Sequence, residues 1–208
     1  MNRLYIEELI EKLYGTTVQM KSVTKSAIEP GMQSGEPARG KYNLYEDGLQ
    51  MLLDVFLKHK ERHSMLFFIG NGGSSAIASH MTADFMKNGG MNTYSLYDNA
   101  VTTCMGNDYG YEYIFSKPME FLVQEGDLVV AISSSGNSSN IVNGIVTAKK
   151  KKAEVITLTG FSEDNKARGL GDINLHVPCA KYGIVESIHN LILQQIVDMV
   201  MDRDGVRF

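Results

Sequence analysis

The chain has few cysteines and no long apolar run. Its 208 residues include only two cysteines, Cys104 and Cys179, which lie far apart and follow no pairing pattern. This usage is typical of a reduced cytoplasmic protein. No apolar stretch approaches the roughly 20 residues that cross a bilayer. Residues 1–8 contain acids and no signal-peptide core, so we expect a cytoplasmic protein with no membrane partner.

The chain also lacks an excess of basic charge. Its formal net charge is −4, and its lysines and arginines are scattered apart from the run Lys149–Lys152. That run falls where a helix should end, and cations at this point interact favourably with the helix dipole and with water. We therefore expect no nucleic-acid partner.

Two common nucleotide-binding patterns are missing as well, although two loops have the composition of phosphate-binding loops. These loops are Gly70–Ser74 and Ser133–Ser139. Each follows an apolar run that predicts a buried strand, and each precedes a stretch with helical periodicity. A strand, a small polar loop and a helix together present backbone N–H groups and hydroxyls to an anion. Since neither loop fits G-x-x-x-x-G-K-[ST] or G-x-G-x-x-G, we predict a sugar phosphate rather than a nucleotide.

The spacing of apolar residues predicts one α/β domain over residues 1–208. Before its core at 64–208, helices are predicted over 3–26 and 42–63, with a loop over 28–41. A sheet does not need these helices for its own core, so we expect them to pack on another subunit or to cover the site. In the core, strands and helices alternate, which predicts a three-layer sandwich with a parallel sheet. The predicted strands are 65–69, 92–97, 127–132, 154–158 and 173–177, and the predicted helices are 74–88, 111–123, 138–149 and 184–202.

Two predicted helices each carry a histidine near a carboxylate. His80 and Asp84 are four residues apart on the first core helix, whereas Glu186 and His189 are three apart on the last. Residues at these spacings share a helix face, and Gln194 follows on roughly the same side as Glu186. Two such pairs can hold a metal or transfer protons. Each pair alone is equally consistent with an ordinary hydrogen bond.

A third candidate is the segment Gly106–Gly110, whose sequence is typical of a tight turn. Its Asn107 and Asp108 either form that turn or contact substrate. Cys104 lies just before the segment. Because no basic cluster surrounds Cys104 to lower the pKa of its thiol, we expect a buried structural cysteine.

The order and spacing of these motifs resemble the sugar isomerase (SIS) domain, and more narrowly the phosphoheptose isomerases. The resemblance runs from about Phe67 to Met201 and extends more weakly through the N-terminal helices. It implies a five-stranded parallel sheet between helices, and tetramers whose active sites draw on neighbouring subunits. It also implies interconversion of sedoheptulose 7-phosphate and a heptose 7-phosphate. The segments that carry it are Gly70–Ser74, Gly106–Gly110, Ile132–Ser138 and Val155–Gly160.

The substrate-binding half of this sequence matches the family. The resemblance implies that Ser133, Ser135 and Ser138 hold the phosphate. It also implies that the loop containing Ser74, together with Asp108, contacts the sugar.

The acid–base half departs from the family. The zinc-binding histidine of the family matches His80, and its catalytic glutamate matches Asp84. At the position of the family's glutamine ligand this chain has Glu186, and at that of an aspartate three residues earlier it has Gly183. At the position of the family's second histidine, which is the general acid and a zinc ligand, it has Gln194. Since an amide cannot cycle a proton near neutral pH as imidazole does, Gln194 cannot be the family's acid.

We therefore predict an aldose–ketose isomerase of a sugar phosphate, first of all sedoheptulose 7-phosphate, acting through an enediolate. Two alternatives stay open: an enzyme for a different sugar phosphate, and a non-catalytic tetrameric binding protein of the SIS type. The resemblance implies one zinc ion per subunit and a homotetramer, and we expect no nucleotide cofactor. The predicted substrate-binding residues are Asn71, Gly72, Ser74, Asn107, Asp108, Ser133, Ser134, Ser135 and Ser138. The predicted catalytic residues are Asp84, Glu186, His189 and Gln194, and the predicted metal ligands are His80, Asp84, Glu186 and Gln194.

Overall fold

The computed structural model describes residues 3–21 and 40–205. Within those ranges, no helix combines the length and the hydropathy that a bilayer crossing requires. The N-terminal elements are α1 (Arg3–Tyr14), β1 (Thr17–Met20), β2 (Gly40–Asn43) and α2 (Leu49–Glu61), with a π-helical turn (Leu44–Gly48) before α2. The core elements are β3 (Leu66–Gly70), α3 (Gly73–Lys87), β4 (Thr93–Tyr94), α4 (Asn99–Tyr109), a 3₁₀ turn (Tyr111–Tyr113), α5 (Ser116–Leu122), β5 (Leu128–Ser133), α6 (Ser139–Lys150), β6 (Glu154–Thr159), α7 (Lys166–Leu170), β7 (Ile173–His176) and α8 (Tyr182–Arg203).

The seven described strands form one sheet in the order β2-β1-β7-β6-β5-β3-β4. The five strands from β7 to β4 are parallel, which confirms the predicted α/β class. β1 pairs antiparallel with both β7 and β2, and these two strands extend the predicted sheet. Helices cover both faces, so β3 and β5 are buried along their whole length.

The prediction of continuous N-terminal helices is wrong in part. α1 ends at Tyr14, and residues 17–20 form a strand because their backbone pairs with the edge of β7 and buries Val18 completely. α2 begins only at Leu49, after β2 and the π-helical turn. The predicted loop over 28–41 falls largely on residues outside the described ranges.

Two short helices follow no apolar pattern and were not predicted. α4 buries none of its residues, so it has no apolar stripe to detect, and α7 has only five residues. The helix predicted over 111–123 is divided into the 3₁₀ turn and α5. β4 has two residues, fewer than the apolar run over 92–97 predicts.

α2 packs into the core of its own chain, so the expectation that the sheet does not need the N-terminal helices for its core is wrong for α2. Leu52, Leu53 and Phe56 are buried in the same apolar layer as α3 and α8. The ring of Phe56 stacks on that of Phe85 in α3, with 4.7 Å between centroids. The opposite face of the sheet is covered by α5, α6 and α7.

The lysine run lies at the end of α6, as its position in the sequence predicts. Lys149 pairs with Asp172, and Lys152 pairs with Glu125 at 2.8 Å. Both ion pairs lie on the surface, so the run is accounted for by the end of a helix.

A buried polar network at the start of β6 ties α2 to the sheet. Oε2 of Glu154 accepts hydrogen bonds from Nε2 of His59, at 2.8 Å, and from Nζ of Lys58. The other ring nitrogen of His59 lies 2.7 Å from Oγ of Ser64. Burial alone would raise the pKa of Glu154, but hydrogen bonds and charge from His59 and Lys58 outweigh it and lower the pKa from 4.5 to about 2.

We expect Glu154→Gln to lower the free energy of unfolding by about 2 to 3 kcal/mol near pH 7, because its charge-assisted hydrogen bonds are lost. Since the folded-state pKa lies below the ordinary value, this stabilisation is present above about pH 4.5 and is lost as the pH falls toward 2. Urea denaturation at neutral and acidic pH measures the effect. Glu125→Gln is the control, because its ion pair with Lys152 is exposed and should contribute little. Equal losses in the two variants, or a loss independent of pH, would contradict the assignment.

Candidate active site

The two polar loops lie next to each other at the carboxyl edge of the parallel sheet. β3 and β5 are paired neighbours, with Gly70 opposite Ile132. Residues 70–74, here called loop 1, lead into α3, and residues 133–139, here called the serine loop, lead into α6. The predicted order of strand, loop and helix is confirmed for both. Ligands of parallel α/β sheets bind at this edge.

Loop 1 turns back tightly onto the first turn of α3. A Cβ atom at Gly70 would lie 2.6 Å from the carbonyl oxygen of Ser74, so only glycine fits there. Gly72 has a φ of 53°, a conformation that glycine adopts at little cost. Ser74 itself is buried. Two glycines therefore set the path of loop 1 by geometry rather than by side-chain packing.

Asn71 joins loop 1 to α6. Its Nδ2 donates to Oδ1 of Asn140 at 2.9 Å, and Nδ2 of Asn140 donates back to Oδ1 of Asn71 at 2.8 Å. The hydroxyl of Tyr111 donates to the same oxygen of Asn71 at 3.1 Å. The sequence predicts that Asn71 contacts substrate, but in the structure both ends of its amide bond protein groups.

The serine loop is shaped by its own hydroxyls and by α7. The backbone N–H of Gly136 donates to Oγ of Ser133 at 3.1 Å, and that of Asn137 donates to Oγ of Ser135 at 3.3 Å. Gly136 has a φ of 64°, and its carbonyl oxygen accepts a hydrogen bond from the backbone N–H of Ala167 at 2.9 Å. Hydrogen bonds within the serine loop and one from α7 thus fix its conformation.

Two further serines of this loop, Ser134 and Ser138, make no side-chain hydrogen bond to any described residue. The Oγ atom of Ser134 is buried and has no hydrogen-bond partner among the described residues. Ser138 precedes the first residue of α6, but its side chain makes no capping hydrogen bond. The Ser138 hydroxyl can therefore bond a ligand, whereas that of Ser134 has almost no exposed surface.

A cavity of about 630 Å³ opens between the serine loop and loop 1. Most of its lining residues carry a hydroxyl or an amide, groups that can bond the hydroxyls of a sugar. The sequence patterns did not indicate Tyr111, Glu112, Asn140 or Asn143, although the spacing of the two asparagines places them on one face of α6. The lining residues are Asn71, Tyr111, Glu112, Ser138, Ser139, Asn140 and Asn143.

His80, Asp84 and Gln194 form a hydrogen-bonded cluster between α3 and α8. Nε2 of His80 lies 2.8 Å from Oδ2 of Asp84, and Nε2 of Gln194 donates to the same oxygen at 2.8 Å. The two nitrogens are 3.4 Å apart. The His80 side chain is 58% exposed, whereas that of Asp84 is 19% exposed. The structure thus brings together three of the four predicted metal ligands.

The fourth predicted ligand, Glu186, lies at loop 1. A Cβ atom at Gly73 would be 2.3 Å from Oε2 of Glu186, so the carboxylate rests directly against the first residue of α3. Eight residues separate Glu186 from Gln194, which corresponds to about 12 Å along α8 at 1.5 Å per residue. In the described part of the chain, the carboxylate of Glu186 has no hydrogen bond or ion pair.

His189 does not share the site with Glu186. Its ring is fully buried, and its Nε2 donates to the carbonyl oxygen of Thr159 in β6 at 3.1 Å. Burial lowers the pKa of His189 to about 4, so the ring is neutral near pH 7. The predicted pair of Glu186 and His189 is absent from the described residues, because α8 turns the imidazole toward the sheet.

The predicted tight turn at Gly106–Gly110 is instead the end of α4, which stops where Gly110 has a φ of 104°. Asn107 and Asp108 are exposed, and Nδ2 of Asn107 donates to Oδ1 of Asp108 at 2.8 Å. Neither residue lines the cavity. Cys104 is exposed, so the prediction of a buried cysteine is wrong. A hydrogen bond to Asp108 and the charge of that carboxylate raise the pKa of the Cys104 thiol.

Comparison with known proteins gives one consistent family. The family described as SIS domain matches residues 43–160. The chain is 35% identical to the phosphoheptose isomerase of Fusobacterium nucleatum over 156 residues, which is 73% of this chain and 78% of that protein. It is 30% identical to the phosphoheptose isomerase of Helicobacter hepaticus over 192 residues, which is 89% of this chain and 95% of that protein.

Solved structures agree with the sequence relatives. The phosphoheptose isomerase from Neisseria gonorrhoeae superimposes with a TM-score of 0.71 at 29% identity, over 78% of this chain and 88% of that chain. The phosphoheptose isomerase from Francisella tularensis superimposes with a TM-score of 0.74 at 25% identity, over 98% of this chain and 100% of that chain.

Proposed function

We propose that this chain, which belongs to the SIS-domain family and within it to the phosphoheptose isomerases, is an aldose–ketose isomerase of a sugar phosphate. The proposed reaction interconverts sedoheptulose 7-phosphate and a heptose 7-phosphate through an enediolate. One observation carries the proposal: the carboxylate of Glu186, which pairs with no described residue, lies at loop 1, next to a serine-rich loop on the neighbouring parallel strand.

The serine loop is the proposed phosphate site. The hydroxyls of Ser133 and Ser135 accept backbone hydrogen bonds, so each keeps its own proton to donate to a phosphate oxygen. Ser138 adds a hydroxyl that bonds no described residue, and the start of α6 adds the positive end of a helix dipole. No lysine or arginine of the described chain lines the cavity, so the phosphate would be bound by neutral donors.

Glu186 is the proposed base. Its carboxylate lies at loop 1 and has no partner among the described residues, whereas that of Asp84 already contacts His80 and accepts a hydrogen bond from Gln194. A carboxylate at loop 1 can take the proton from the carbon next to the carbonyl and return it to the neighbouring carbon. Asp84, which matches the family's base in sequence, is the alternative.

The cluster of His80, Asp84 and Gln194 is proposed to complete the site of a neighbouring subunit. It lies about 12 Å along α8 from Glu186, and His80 is open to solvent. α1 exposes Leu4 and Ile6, an apolar surface that a second copy would cover. We therefore propose a cytoplasmic homotetramer, as the family resemblance implies. In it the Gln194 amide would donate a hydrogen bond to an enediolate oxygen.

Zinc is the metal proposed for this cluster. Among the described residues, no three His, Cys, Asp or Glu side chains lie close enough to hold an ion. His80 and Asp84 would therefore need the amide oxygen of Gln194 as a third ligand, and this requires the amide to turn over, because its Nε2 now faces both side chains. When bound, zinc would polarise the substrate carbonyl. His80 and Asp84 would then give up their mutual contact.

Proton exchange with solvent tests the proposed function. The protein is incubated in D₂O with a panel of ketose and aldose phosphates, with added zinc or with a chelator, and NMR follows the products. We expect isomerisation of sedoheptulose 7-phosphate and deuterium on the carbon next to the carbonyl, because an enediolate is reprotonated by a group that exchanges with solvent. Loss of turnover with the chelator would support a bound metal, and recovery on adding zinc would support zinc rather than manganese or iron.

The same panel distinguishes the rivals. If only pentose or hexose phosphates are turned over, the proposed substrate would be wrong and the proposed isomerase chemistry would stand. If the folded protein shows no turnover and no deuterium exchange with any sugar phosphate of the panel, the result would contradict an isomerase and favour a binding role.

A further inference from the structure

Tyr97 holds the start of loop 1 without lining the cavity. Its hydroxyl accepts a hydrogen bond from the backbone N–H of Gly70 at 2.6 Å and donates one to the carbonyl oxygen of the same residue at 2.9 Å. Its ring meets that of Phe115 edge-on, with 5.8 Å between centroids. One side chain thus satisfies both backbone polar groups of the last residue of β3.

These bonds replace a missing strand partner. β4 pairs only with Leu66 and Phe67 of β3, so it ends before it can reach Gly70. Backbone polar groups in such a partly buried place need partners, and the Tyr97 hydroxyl supplies both. Burial raises the pKa of Tyr97, so the hydroxyl keeps the proton that it donates.

The position of Gly70 affects the site because loop 1 is short and fixed at several points. Asn71 is bound to Asn140, and Gly73 touches the carboxylate of Glu186. A shift of Gly70 would therefore also move Gly73, three residues later, against which the Glu186 carboxylate lies.

We propose that Tyr97 is a positioning residue for the isomerase reaction, which sets the path of loop 1 and thereby the place of the Glu186 carboxylate. The kinetic part of this inference rests on the proposed function, whereas the effect on loop 1 does not. Tyr97 is outside the cavity lining, and the phosphate is proposed to lie on the serine loop. The hydroxyl should therefore affect proton transfer more than substrate binding.

Tyr97→Phe removes the hydroxyl and keeps the ring. We expect kcat for sedoheptulose 7-phosphate to fall about 10- to 100-fold while KM changes less than about threefold, since a small displacement of a catalytic group has effects of this size. Hydrogen exchange followed by mass spectrometry should show faster exchange in the peptide that contains loop 1. Tyr94→Phe is the matched control, because Tyr94 lies on β4, is 47% exposed and bonds no described residue through its hydroxyl.

The outcomes separate the two proposals. If the wild-type protein isomerises nothing, the proposed function fails, and faster exchange in loop 1 of Tyr97→Phe alone decides the positioning role. Unchanged exchange in loop 1, or a kcat equal to that of Tyr94→Phe in an active enzyme, would overturn the role of Tyr97. A rise in KM without a fall in kcat would also overturn it. Failure of Tyr97→Phe to fold would make the hydroxyl a structural group and have the same consequence.

Discussion

Glu186→Gln should lower kcat about 1,000-fold and leave KM within a few fold of the wild type. The amide keeps the size of the side chain against Gly73 but cannot take a proton, so substrate would still bind and the enediolate would not form. Steady-state kinetics with sedoheptulose 7-phosphate give both constants. Deuterium exchange into bound substrate should be lost in parallel, because proton removal is the step affected.

Asp84→Asn is the matched comparison, since it makes the same chemical change in the other candidate base. The Asp84 carboxylate contacts His80 and accepts from Gln194, so its loss should disturb that cluster and reduce kcat less than Glu186→Gln does. A collapse of kcat in Asp84→Asn with an active Glu186→Gln would assign the base to Asp84. Unchanged kcat in both variants would contradict the whole carboxylate mechanism.

Gly136→Ala should raise KM about 10- to 100-fold by distorting the serine loop. Gly136 has a φ of 64°, and an added Cβ atom would lie 2.0 Å from Oδ1 of Asn165. A non-glycine residue in such a conformation costs about 1 to 3 kcal/mol, and the clash requires the loop or Asn165 to move. Because the loop is proposed to bind phosphate, inorganic phosphate should also become a weaker competitive inhibitor.

Gly169→Ala is the control for this change. It lies in α7, near the same loop, but an added Cβ atom there would meet nothing within 4 Å and needs no unusual φ. Its KM and its inhibition by phosphate should match those of the wild type. A Gly136→Ala variant that kept the wild-type KM would contradict the proposed phosphate site.

The sheet could be predicted from the sequence because buried parallel strands are apolar along their whole length. Runs such as Leu128–Ile132 have no polar alternation that could be mistaken for a loop. β1 could not be predicted in this way, because its four residues are held by pairing with β7, which is distant in sequence. α4 could not be predicted either, because it buries none of its residues and its sequence therefore has no apolar periodicity.

The parts of the candidate site that are formed by residues close in sequence could be predicted. Loop 1 and the serine loop each follow a strand and precede a helix, and His80 and Asp84 share one helix face by spacing alone. The contacts between α3 and α8 could not be predicted, since the packing of the two helices decides them. This packing puts Gln194 on Asp84 and Glu186 on Gly73, and it turns His189 inward.

The brevity of the outermost strands has a consequence for the protein in concentrated solution. In the described part of the chain, the sheet is bounded by β4, with two residues, and by β2, with four residues that include Lys41. Long, flat strand edges are templates for intermolecular pairing, whereas short edges and a lysine offer little backbone for it. These boundaries should protect the chain from aggregation through strand addition.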